Sequence, residues 1–132
     1  MATEQTDYLS YIDAALIHIE LMRSAGETRY VVFDRSLIES ALARPRQAAV
    51  YEDADIIRQA ATLCFGLIKS HPWIGGNKRT AIALVDEFLF RNHIEMTSST
   101  KDNIETIFAV ESNRWEVDEI ESWLRRHTKQ IT

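Results

Sequence analysis

The sequence predicts an all-α, mainly helical protein of one domain over residues 1–132, and three observations carry that prediction. Apolar residues recur at the i, i+3, i+4 spacing of a helix face through almost the whole chain. The length is near that of a single hydrophobic core. Apolar residues make up 45% and charged residues 27%, as in an ordinary globular protein, and two prolines with four glycines argue against a linker-rich chain.

Leu9, Ile12, Leu16 and Ile19 form one stripe, which predicts a first helix over residues 8–24 with Gly26 beyond its end. Residues 30–33 are too short to assign, a short strand being the alternative. A second helix starts after Asp34 or Ser36, either of which caps well, and Ser36 with Glu39 has the capping-box spacing. Leu37, Ile38, Ala41 and Leu42 supply its apolar face. Pro45 removes a helical N–H and biases Arg44 toward extended geometry, so residues 44–53 are expected to form a loop or short hairpin.

A third helix is expected over residues 54–70, with Ile57, Ala60, Ala61, Cys64, Leu67 and Ile68 on one face. His71-Pro72 breaks it, Gly75-Gly76-Asn77 makes a turn, and a fourth helix starts near Lys78 with Ala81, Leu84, Val85 and Phe88 facing inward. Asn92 is its stop. Ile104, Ile107 and Phe108 mark a fifth helix over 101–111, and Val117, Ile120 and Leu124 a sixth over 117–127. Residues 47–51 and 94–97 have short strands as alternatives.

Totals exclude several function classes. The net charge is −5 and no Lys/Arg run exceeds two residues, so the basic footprint of a nucleic-acid binder is missing. The single cysteine, Cys64, rules out an internal disulfide and a cysteine-based zinc site, and its apolar neighbours mark it as a core residue. No apolar stretch approaches the roughly 20 residues that span a bilayer. The first ten residues are polar and unlike a signal peptide, so the expected setting is the cytoplasm, with no membrane partner.

One segment carries chemistry: His71 to Thr80, HPWIGGNKRT, between two buried-looking helices. Gly75 and Gly76 let a ligand approach the backbone closely. They precede a helix start, where unpaired N–H groups and the positive dipole end attract an anion. Lys78 and Arg79 add charge beside those amides, so a phosphate-bearing ligand is the natural partner. The spacing is not that of a Walker-type loop. His71 stands at the mouth, where an imidazole can take a proton from a hydroxyl. Physics alone leaves the plainer alternative open, in which His71 ends a helix and the glycines form an ordinary turn.

The run His71-Pro72-Trp73-Ile74-Gly75-Gly76-Asn77-Lys78-Arg79-Thr80-Ala81 resembles the Fic signature HPFx(D/E)GN(G/K)R, with the NKRTA ending typical of the death-on-curing (Doc) toxin branch. Upstream, Leu37–Pro45 (LIESALARP) is similar to the LLESALARP segment of Doc-like proteins, at about the expected distance. The resemblance covers roughly residues 30–95 well and the ends loosely.

It implies a Fic/Doc bundle of about six helices with a short β-like flap. It implies His71 as general base toward a hydroxyl of a target protein, with Gly75, Gly76, Asn77, Lys78 and Arg79 binding ATP or another nucleoside triphosphate. Trp73 matches the aromatic residue that fixes the loop. Arg46, Gln47, Ala48, Ala49, Val50 and Tyr51 are the candidates for a flap that docks the target peptide as an added strand, a plain surface loop being the alternative.

Lys78 and the Ala at position 83 favour Doc-like transfer of the γ-phosphate, with elongation factor Tu as family precedent, over the AMP transfer of GNGR members. Magnesium is expected from the family, but its acidic ligand falls at Gly75, which has no side chain, so no metal-binding residue is assigned. A catalytically silent binding module is therefore a further alternative. Ser112–Val117 fits the family's self-inhibitory motif poorly, which suits a toxin restrained by a separate antitoxin whose disordered tail folds in a groove. Trp115 and Trp123 either line such a groove or belong to the core, and His18, His93 and His127 have no metal-ligand spacing.

Overall fold

The computed structural model describes residues 5–27, 33–72 and 77–131. Among them the order is α1 (Tyr11–Ser24), α2 (Arg35–Glu52), α3 (Ile56–Ser70), α4 (Asn77–Arg91), β1 (Ile94–Met96), α5 (Thr100–Glu111), α6 (Val117–Arg126) and β2 (Thr128–Gln130). The fold is all-α, with six helices and one two-stranded ribbon among the described residues. No described helix is long and apolar enough to cross a membrane.

Short polar side chains start the helices by taking over free backbone amides. Ser10 and Asp13 cap α1 reciprocally, as Ser99 and Asp102 cap α5. Asp34, not Ser36, caps α2 through the Leu37 N–H, and Asp55 caps α3 through the Arg58 N–H.

The expected break at Pro45 is corrected: α2 runs through it, from Arg35 to Glu52. Proline in a helix interior costs about 3 kcal/mol or more. Here Pro45 is buried together with Ala41, Ala48 and Ala49, so packing against α3 offsets that cost. The strand alternative at 47–51 falls with it. Residues 30–32 lie outside the described residues.

Nearly every side of α3 is buried, and α2, α4, α5 and α6 pack around it. Gly66 lets the Arg44 side chain cross α3, since a Cβ there would stand 2.6 Å from Arg44 Cδ. Cys64 is buried as expected, and burial pushes its thiol up to about 12. Buried Gln59 is satisfied from both sides: its Oε1 accepts from the Tyr8 hydroxyl and its Nε2 donates to the Ala54 carbonyl, each at 2.9 Å.

Helix α4 ends where Asn92 donates to the Phe88 and Asp7 carbonyls and His93 turns to φ 69°. The strand alternative at 94–97 is realised as β1, which pairs antiparallel with β2 in the register Ile94↔Gln130, Glu95↔Lys129, Met96↔Thr128.

Candidate functional site

At the end of α3, His71 adopts the left-handed conformation (φ 47°, ψ 58°), which stops the helix and leaves the side chain exposed. The next residue is tied down: the Pro72 carbonyl accepts from the Asp34 N–H at 2.8 Å. Trp73, Ile74, Gly75 and Gly76 lie outside the described residues, so the amide nest expected there is not described. Asn77 opens α4.

The first turn of α4 has two faces. On the buried face, Thr80 Oγ1 is hydrogen-bonded to His18 Nδ1 at 2.7 Å, which fixes α4 against α1. Burial lowers the pKa of His18 to about 4, so this anchor is uncharged at neutral pH. On the other face, Lys78 and Arg79 are exposed.

That face opens on a groove of about 1000 Å³ lined at one end by His71, Lys78 and Arg79. The groove thus brings together three of the sequence-predicted site residues. Its walls include Ile82, Met96, Ile104 and Phe108, and Asp86 lies further along α4. Ala83 also lines the groove, one turn beyond Arg79. Lys78 Nζ stands 3.6 Å from Glu111 Oε1 and 5.0 Å from the Phe108 ring centre. Loss of hydration raises the pKa of Asp86, and the negative charges of Glu87 and Glu95 add to it.

Among the described residues no three His, Cys, Asp or Glu side chains converge to hold a metal ion, and Gly75 contributes none by its chemistry.

One expectation is corrected. Arg46, Gln47, Ala48, Ala49, Val50 and Tyr51 are the last turns of α2, where the backbone N–H groups are taken up by the helix and the chain offers no extended edge to an added strand. Ala48 and Ala49 are buried, Val50 and Tyr51 are exposed, and the Arg46 guanidinium lies 4.5 Å over the Tyr8 ring. This surface has its own shallow pocket with Leu42 and shares no residue with the groove at His71. Trp123 is largely buried, 5% exposed and stacked on His127 at 4.8 Å, and with Trp115 it borders a small surface pocket away from the groove at His71.

Asp86, Met96 and Glu111 are groove residues that sequence reasoning missed. Of the three apolar residues that mark α5, Ile104 and Phe108 are 49% and 54% exposed, while Ile107 is buried. The available signal was the helical spacing of Lys78, Arg79, Ile82, Ala83 and Asp86, which puts them on one face of α4.

Compared with known proteins, residues 8–89 match the sequence profile of the Fic/DOC family. No curated protein matches the chain.

Proposed function

The chain belongs to the Fic/DOC family, whose members generally are transferases, and on that premise we propose that it transfers the γ-phosphoryl group of a nucleoside triphosphate to a hydroxyl of a target protein. In this reading the triphosphate lies against the start of α4, between the free helix-end amides and the side chains of Lys78 and Arg79. His71 takes the proton of the target hydroxyl as its oxygen attacks the γ-phosphorus. The bond from that phosphorus to the β–γ bridging oxygen breaks, and the nucleoside diphosphate leaves with its electron pair. Lys78 and Arg79 offset the charge that builds on the phosphoryl oxygens.

The observation that carries the reading is the opening of His71, Lys78 and Arg79 on one groove, with Ala83 and no second arginine one turn on. Lys78 in the first turn of α4 and an Ala at 83 favour the γ- over the α-phosphorus. A folded translation factor such as elongation factor Tu, and an antitoxin with a disordered tail, are the partners this reading brings with it.

The test is incubation of the pure protein with elongation factor Tu and ATP labelled at the α or the γ position. Label arriving from the γ position is expected. Label from the α position alone overturns the kinase reading in favour of AMP transfer. A second reading, a binding module without catalysis, is favoured by Gly75. Transfer that appears only in Gly75→Asp would support it.

A further inference from the structure

We propose that Asp86 determines which nucleotide the groove accepts, its two oxygens taking the paired hydrogen-bond donors of a guanine edge. The inference deepens the nucleotide reading above and rests on it.

Polarity is the first argument. Arg79 and Asp86 share one face of α4, seven residues apart, which is about 10 Å along the axis at 1.5 Å per residue. The cations sit at one end of that span. The other end is acidic, with Glu87 and Glu95 acting on Asp86. Phosphates are repelled there, so a nucleotide enters in one direction, with its base toward Asp86. Between the two ends, Ile82, Met96, Ile104 and Phe108 offer apolar surface to a ring.

Availability is the second. Neighbouring acids are occupied: Glu87 pairs with Arg91, Glu95 with Lys129 and Glu111 with Lys78. Among the described residues Asp86 has no such partner, and its exposed side chain lines the groove. A base seated over it would exclude water and strengthen the hydrogen bonds it accepts.

Base chemistry is the third. An ionised carboxylate only accepts hydrogen bonds, through two oxygens side by side. Guanine presents a ring N–H next to an amino group, two adjacent donors. Adenine and cytosine set one amino group beside a ring acceptor, and uracil sets one N–H between two carbonyls. Only guanine matches without turning an acceptor toward the carboxylate.

Calorimetric titration of the full chain and of Asp86→Asn with GTP, ATP and XTP tests this. The unaltered protein should bind GTP about tenfold or more tighter than ATP, the value of one hydrogen bond to a charged group. Asp86→Asn should lose that preference and gain XTP binding, because xanthine replaces the amino donor with a carbonyl that the Asn amide can meet. A gain cannot come from misfolding. Equal binding of GTP and ATP by the unaltered chain overturns the proposal and leaves the nucleotide reading standing. A GTP preference that survives Asp86→Asn overturns it, as does equal weakening of all three nucleotides, which would assign Asp86 to ribose hydroxyls. No binding of any nucleotide overturns both readings.

Discussion

Arg58 and Arg79 are each the third residue of their helix, α3 and α4, yet their surroundings differ completely. A cation in a first turn is opposed by the helix dipole. Around Arg58 that opposition is met by carboxylates: Asp118 at 2.6 Å, Glu121 at 3.1 Å and Glu52 at 3.2 Å, with the Asp118 bond foremost in raising its pKa. Arg125 extends the network through Asp55 and Glu121, so α2, α3 and α6 are clamped together. Around Arg79 no carboxylate within ion-pair distance is found among the described residues, and the side chain faces the groove. The difference teaches that the first arginine serves the fold, whereas the second, exposed to water and unmatched by a described carboxylate, is left for the ligand that the proposed function calls for.

Four changes break or sharpen that contrast. The largest effect is expected from His71→Asn, since asparagine tolerates the left-handed backbone of His71. Phosphoryl transfer should fall by about 10²–10⁴-fold, the range for loss of a general base, with the melting temperature nearly unchanged. An unchanged transfer rate would remove His71 from the chemistry.

Acid should separate the two helix starts next. The folded pKa of His18, about 4, lies below its ordinary value of 6.5. Its contribution to stability is therefore complete above about pH 6.5 and is lost as pH falls toward 4, because the unfolded chain takes up the proton first. Hydrogen exchange over this window should accelerate in the first turn of α4, which His18 holds through Thr80, more than at the start of α3. In His18→Gln the pH dependence should flatten; a chain as steep as the parent would rule out His18 as its source.

Arg79→Ala should then weaken nucleotide binding by about 10- to 100-fold, the value of losing hydrogen bonds to a charged group. Its stability should hold or rise slightly, by about 0.3–1 kcal/mol, as an opposed cation leaves a helix start. Arg58→Ala should do the reverse, lowering stability by about 1 kcal/mol, modest because its partners are partly exposed, and leaving nucleotide affinity alone. Equal effects of the two substitutions on both readouts would dissolve the comparison; denaturant melts paired with calorimetry measure them.

Much of this was legible because it is local. The cap at Asp34, the break at His71-Pro72 and the apolar face of α3 depend on residues within a turn or two of each other. Pro45 misled for the same reason: its local cost is real, but burial against α3 is a tertiary term that no window around residue 45 contains. The β2 strand was invisible because Thr128–Gln130 has no apolar alternation and owes its shape to Ile94–Met96 far away in the sequence. In the groove, His71, Lys78 and Arg79 were readable from one contiguous signature. Asp86, Met96 and Glu111 come from α4, β1 and α5, and only packing reveals that they face a common space.

The lone sulfhydryl, sealed at the centre of the bundle, has a practical use. Cys64 is 1% exposed, so an alkylating reagent reaches it only when the molecule opens. The chain therefore carries its own clock for opening. Any compound that binds the closed form should slow the modification in proportion to its occupancy, which turns a mass spectrometer into a ligand screen with no labelled substrate.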